Sequence, residues 1–257
     1  FLQGLFRHAS SPEFSCLTGN ETEGKTFREL LSNLRNDGVS ETVILRRLRE
    51  LSKSGGLFYP GPNIGQSSFQ RLSASNDHDS WCISGITHTT SSAGAMDAIA
   101  SWVTSPVQPW DAVICTSTAV KKNVEVLLQA QVDSLKDRLG ITKIVLPQLP
   151  VIPLGVHAED FSYTPEQRAK SRATLNAGDE TLVVLYTGRL SFHAKAHPLA
   201  MYQALENAAQ ATGKEVLLVE CGWHANEYIE KAFAAGAQLA SPSVRVVTLD
   251  GRVAENR

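Results

Sequence analysis

The sequence predicts an α/β protein made of two Rossmann-like units, the second incomplete, and three observations carry that prediction. Short β-branched apolar runs alternate with amphipathic stretches along most of the 257 residues, the order expected of parallel sheets covered by helices on both faces. The three later runs, 181–186, 216–220 and 244–249, each lead to a glycine, Gly188, Gly222 and Gly251, where the main chain can turn sharply and come close to another group. Between the two series, Pro147, Pro150 and Pro153 cluster just before Gly155, and such a cluster marks a natural boundary. The expected units are 1–150 and 151–257.

Composition narrows the class. Apolar and charged fractions are 42% and 19%, those of an ordinary soluble protein. The formal net charge of −2 gives no global attraction for nucleic acid, so no nucleic-acid partner is expected. Cys16, Cys82, Cys115 and Cys221 stand far apart and read as small core residues instead of a disulfide framework, which points to a reducing cytoplasm. No stretch approaches the ~20 apolar residues of a membrane-spanning helix, and no signal peptide opens the chain. The chain starts inside an apolar helical pattern and stops just after a strand and turn. It therefore reads as a fragment, lacking the first strand of unit one.

Taken in order, residues 1–8 read as the remainder of a helix, 13–17 as a strand ending near Thr18-Gly19, and 26–34 as a helix. Residues 41–51 place Ile44, Leu45, Leu48 and Leu51 on one helical face, with Arg46, Arg47, Arg49 and Lys53 around it. Such a basic amphipathic helix can make weak peripheral contact with an anionic membrane, although a solvated outer face is its commoner meaning. Residues 57–59 suggest a strand, followed by a Pro60-Gly61-Pro62 loop that also carries Gln66 and Arg71. Residues 81–86 are a strand running into the hydroxyl-rich turn Thr87-His88-Thr89-Thr90-Ser91-Ser92, which belongs on the ligand edge of a parallel sheet. A helix at 93–103, a strand at 111–115 and a long helix to Leu139 capped by Ser117 follow. Short strands at 143–146 and 148–152 close the first unit. The second alternates helix 164–175, strand 181–186, helix 198–212, strand 216–220, helix 226–236 and strand 244–249.

One stretch concentrates the chemistry. Residues 181–186 read as a buried parallel strand and end at Thr187-Gly188, with Arg189 next and Lys195 before the following helix. An Arg fork and a Lys point charge on the loop between a strand end and a helix start suit a diphosphate. The plain alternative is a solvated loop with two surface charges. No G-x-G-x-x-G fingerprint is present, which argues against a nicotinamide or flavin.

These pieces resemble the retaining glycosyltransferases of group 1, the GT4-like family with the GT-B fold. The residues that carry the resemblance are PLGVHAEDF at 153–161, VVLYTGRLSFHAK at 183–195, LLVECG at 217–222 and VRVVTLDGR at 244–252, with a looser fit of GITHTTSS at 85–92 and DAVICTSTAVKKN at 111–123. The similarity runs from Trp81 onward. It implies two Rossmann-like domains and a nucleotide-diphosphate sugar donor held mainly by the second, with no further cofactor. It assigns Arg189, Lys195 and Gly188 to the donor diphosphate, and His88 to a catalytic position near the transferred sugar. Gly222, Gly251 and Arg252 would line the nucleotide. The donor's base and sugar and the acceptor are not specified. The family's glycine-rich loop would precede Phe1 and its paired glutamates would follow Arg257, so turnover by the fragment is in doubt. Ala196 also stands where the family often has glycine.

Other chemistries fit less well. His193 and His197 have a helical metal-ligand spacing, and Cys221 and His224 add two possible ligands, but Lys195 between the first pair is a poor neighbour for a dication, so no metal is expected. No G-x-S-x-G elbow points to a nucleophilic serine. A nucleotide-sugar epimerase of the same fold and a non-catalytic module binding nucleotide sugars or polyanions stay open as alternatives.

Overall fold

β7 (Val216–Gly222) is the strand on which the second half of the chain is built, and every one of its seven residues is buried. In the computed structural model it lies between β6 (Leu182–Thr187) and β8 (Val244–Asp250), in the order β6-β7-β8, all parallel. Its run VLLVECG is apolar on both faces, as a strand covered on both sides requires. Val216 and Leu218 face Tyr202 and Ala209 of α7 (Leu199–Thr212) and Ala237 of α8 (Glu227–Ala240). Leu217 and Val219 face Leu175 and Ala177, just after α6 (Pro165–Thr174). Thr164 opens α6 with a reciprocal capping box to Gln167, satisfying two otherwise orphaned N–H groups.

The structure describes the chain apart from Phe1, 36–37, Arg46, Ser91, Ala194, Ala196 and 254–257. Two compact units divide it, Phe1–Val156 and His157–Arg257, each an α/β arrangement with exclusively parallel pairing among the described strands. No helix among the described residues is long and apolar enough to cross a membrane.

The first unit holds two separate sheets. β1 (Glu13–Thr18) pairs with β2 (Ser40–Leu45). Phe6 of α1 (Leu2–His8), Phe14 of β1 and Phe27 and Leu31 of α2 (Glu21–Leu34) form their core, with Phe6 edge-on to Phe14 at 5.2 Å and to Phe27 at 5.4 Å. The second sheet has the order β3-β4-β5, from Gly56–Phe58, Cys82–Thr87 and Ala112–Cys115. Its core takes Ile64 from α3 (Ile64–Ser75), Ile99 from α4 (Ala93–Ala100), Trp81, Trp102, and Val124 and Leu128 from α5 (Thr118–Leu139).

Four sequence expectations need correction. The helix expected at 41–51 is instead β2 followed by a 3-10 turn, Leu48–Lys53. Thr42, Val43 and Ile44 are β-branched and favour the strand, and Gly24 lets α2 come close enough that an added Cβ would meet Val43 Cγ1 at 2.8 Å. The amphipathic surface proposed for membrane contact is therefore not formed; Arg46, one of its charges, lies outside the described residues. Gln66 and Arg71 sit on α3, not in a loop. Residues 143–146 form no strand, and 148–152 make only isolated bridges, Ala112 with Gln148 and Cys115 with Val151. Pro147 and Pro150 lack the N–H groups a continuous ladder needs. Last, β6 is an edge strand with Leu182 and Leu185 38% and 62% exposed, because among the described strands β7 alone pairs with it.

Candidate functional site

In the second unit, the ends of β6, β7 and β8 meet through their glycines. Gly188 has φ of +141°, a conformation that side-chain-bearing residues rarely adopt. Its N–H donates to the Cys221 carbonyl at 3.0 Å, and the Leu190 N–H donates to the Trp223 carbonyl at 3.0 Å. Arg189 is therefore fixed between two main-chain ties to the segment leaving β7. Lys195 folds back toward the same point: a Cβ on Gly188 would lie 3.6 Å from its Cγ and 3.9 Å from its Cδ. Both cations are exposed, and neither makes an ion pair among the described residues. The Tyr186 hydroxyl donates to the Arg189 carbonyl at 3.5 Å, and Phe192 packs on Phe233 at 4.7 Å. Ala196, the departure noted beside Lys195, lies outside the described residues.

Gly222 and Gly251 have a packing reason of their own. A Cβ on Gly222 would overlap the Gly188 carbonyl oxygen, and one on Gly251 would sit 3.2 Å from the Gly222 Cα. The Gly251 N–H donates to the Gly222 carbonyl at 2.9 Å. The close approach that these glycines permit is thus main chain on main chain. Arg252 is engaged locally: its Nη2 donates to Asp250 Oδ2 at 2.8 Å and its Nε to Oδ1 at 3.0 Å. Those bonds, with the Arg252 N–H, hold the Asp250 carboxyl down at about 2. A fork already filled by its own neighbour is a weaker partner for a nucleotide than Arg189.

In the first unit, β4 ends at Thr87, whose hydroxyl is buried and donates to the Ile114 carbonyl at 3.0 Å, while Thr116 donates to the Thr87 carbonyl at 3.3 Å. These hydroxyls tie β4 to β5. His88, the next residue, is exposed and borders a cavity of about 610 Å³ shared with Tyr59, Asn63, Thr89, Asp97 and Ser101. That volume suits a small ligand, and an imidazole stands on its wall. Ser92 caps α4 through the Ala95 N–H at 3.3 Å. Ser91, in the same turn, lies outside the described residues.

Sequence reading missed Tyr59, Asn63 and Asp97 as neighbours of His88. Pro60-Gly61-Pro62 directly after a strand was the available signal for the first two; Asp97, the only charge on AGAMDAIA, was the signal for the third. It also missed the part Arg71 plays. Fully buried, Arg71 donates to both Asp111 carboxylate oxygens at 2.8 Å and to the Trp81 carbonyl at 2.8 Å.

His193, His197 and His224 each make a contact of their own. His197 Nδ1 accepts from the Leu199 N–H at 3.3 Å, His193 Nδ1 lies 3.2 Å from the Ser191 hydroxyl, and the His224 ring stands edge-on to Phe233 at 5.2 Å. Among the described residues no group of three or more His, Cys, Asp or Glu is placed to hold a metal ion. No model of a known protein family matches the chain, and no curated protein matches it.

Proposed function

We propose that the protein is a retaining glycosyltransferase of the GT-B type, and that the loop after β6 grips the diphosphate of a nucleotide-sugar donor. The observation that carries this reading is the pairing of Arg189 and Lys195 about Gly188. One cation is fixed by main-chain ties, the other is laid back across the glycine, and among the described residues no carboxylate neutralises either. Two cations with no ion pair among the described residues, beside a strand end of a parallel sheet, suit an anionic ligand at the edge where such sheets bind. In this reading Arg189 takes two phosphate oxygens with its fork and Lys195 neutralises the remainder. As the sugar leaves, negative charge grows on the nucleotide diphosphate, and cations already in place stabilise that charge more than the ground state. His88 and its cavity serve the sugar and acceptor side. The four cysteines are all free thiols, which supports a cytoplasmic setting.

The test is calorimetry on the intact protein with UDP, GDP and ADP against the corresponding nucleosides. One diphosphate should bind well above its nucleoside. Arg189→Ala or Lys195→Ala should weaken that binding by about ten- to a hundredfold, since a charge-assisted hydrogen bond is worth roughly 1.5–3 kcal/mol. Arg189→Lys should restore part of the loss. Diphosphate binding unchanged in both alanine variants would remove the basis of the reading. Product analysis with the full-length enzyme then separates transfer from epimerisation.

A further inference from the structure

The cavity beside His88 carries a chemistry opposite to that of the loop after β6. One of its walls is set in place by hydrogen bonds: the Tyr59 N–H donates to the Ser84 carbonyl at 2.7 Å, the Ile86 N–H to the Gly61 carbonyl at 3.1 Å, and the Trp102 indole N–H to the Pro62 carbonyl at 2.8 Å. Those bonds sew the Pro60-Gly61-Pro62 turn to β4 and to the 3-10 turn Ser101–Val103 that continues α4. The Tyr59 ring lies against this turn, since a Cβ on Gly61 would meet its Cε1 at 3.1 Å, yet 38% of the residue stays exposed. An aromatic wall is thus in position before anything binds, which lowers the cost of binding.

The polar groups beside that ring are acceptors. Asp97 is exposed and makes no ion pair among the described residues. Asn63 donates with its amide nitrogen to Gln66 Oε1 at 2.8 Å, and its own carbonyl oxygen receives no hydrogen bond among the described residues. Among the described residues that line the cavity there is no lysine or arginine, and Asp97 is the one acid. A phosphate there would meet a like charge with no fork or point charge to take it. Hydroxyl groups fit instead: each O–H can donate to a carboxylate in a short, strong bond, while the C–H face of a sugar ring rests on an aromatic one. We propose that this cavity takes a sugar or cyclitol that carries no phosphate, its ring face on Tyr59 and two neighbouring hydroxyls on Asp97, with Asn63 accepting from a third. Asp97 thereby sets specificity against phosphorylated ligands. As a statement about the acceptor this rests on the transferase reading; as a statement about what the cavity binds it does not.

The experiment titrates the chain with glucose, mannose and inositol, each beside its monophosphate, and follows the backbone amides at 59–63 and 94–98 by NMR. At least one unphosphorylated member should shift these amides, and its monophosphate should bind at least about tenfold more weakly. Asp97→Asn should weaken the unphosphorylated ligand about tenfold and narrow the gap to its monophosphate. Asp97→Lys should invert the preference, a result that a merely structural role for Asp97 would not give. Tyr59→Ala should also cost about tenfold, and Tyr59→Phe should retain most of the binding. A monophosphate that binds the parent as tightly as its unphosphorylated form would overturn the proposal. So would binding that neither Asp97→Asn nor Tyr59→Ala weakens, or a panel in which no member moves these amides. Diphosphate binding at Arg189 and Lys195 is read in a separate titration, so each reading can fail without the other.

Discussion

In β4 a Cβ on Gly85 would meet the Gly61 carbonyl oxygen at 2.7 Å and Ile64 Cγ2 at 2.6 Å; in β7 one on Gly222 would overlap the Gly188 carbonyl oxygen. The central strands of the two three-stranded sheets thus share a device, a glycine over which another segment's main chain passes. They differ in the acid buried beside them. Asp111, just before β5, receives two bonds from Arg71 and one each from the Ile83 and Gln108 N–H groups, all at 2.8 Å. Glu220, within β7, receives the Tyr202 hydroxyl at 2.7 Å. Burial pushes the Glu220 carboxyl up, and the Tyr202 hydrogen bond and the charge of His224 only partly oppose that. Burial and the same hydrogen bond raise the Tyr202 hydroxyl as well. The first acid is a cross-link, fully compensated and joining α3, β4 and β5. The second is a titrating group, held in the core by one neutral donor. A buried carboxylate can therefore mean opposite things for stability, depending on what donates to it.

The sharpest way to break this contrast is Asp111→Asn. It leaves the Arg71 guanidinium buried without its counter-charge, and we expect a loss of about 3–5 kcal/mol, read as early unfolding of the first unit by the buried Trp81 and Trp102. Unfolding of the second unit should not move. A variant as stable as the parent would show that Asp111 is not the cross-link described. Next in size is Gly222→Ala, which forces the Gly188 carbonyl aside and should destabilise the second unit by about 3 kcal/mol in denaturant melts. Gly85→Ala should cost less, because its nearest contacts, at 2.6 and 2.7 Å, are less severe than the overlap at Gly222; equal losses would mean that the main-chain contact at Gly222 yields as easily.

The smallest effect is expected at Glu220. With the folded value raised above the unfolded one of about 4.3, its contribution to stability is complete below that pH and declines as pH rises through the folded value. Glu220→Gln keeps an acceptor for Tyr202 and cannot ionise. It should gain up to about 1 kcal/mol at alkaline pH and nothing near pH 4, seen as a flatter profile of melting temperature against pH. A profile as steep as the parent's would assign the dependence to other groups.

Much of this arrangement was legible because local chemistry agreed with it. Ser117, Thr164 and Gly140 announce helix ends and occupy those ends, and the run VLLVECG could only be a strand covered on both faces. What was not legible depends on partners distant in sequence. Arg71 and Asp111 are forty residues apart, and nothing around IGQSSFQRLSAS marks its arginine as buried, since small serines, not apolar residues, fill the adjoining inner positions Ser67 and Ser68. The exposure of Leu182 and Leu185 depends on which strands flank β6, a property of the sheet and not of the run itself. Apolar spacing at 41–51 fitted a helix as well as a strand, and pairing with β1 decided it. At the candidate site, the glycines and cations were visible in the sequence. The engagement of Arg252 by Asp250 follows from side-chain geometry that no spacing reveals.

The ties at Gly188 and Leu190 divide the loop after β6 into parts with different freedom. Arg189 lies between two hydrogen-bonded main-chain positions, so its backbone should move on the picosecond scale of the sheet itself. Lys195 lies beyond the Phe192 packing contact, with its aliphatic stem against Gly188 at the strand end. An anion arriving there meets one partner whose ordering was completed during folding and another that must still be ordered. The second carries most of the entropic cost of capture, and Lys195 alone should lose amide and side-chain mobility in relaxation measurements as the anion is added.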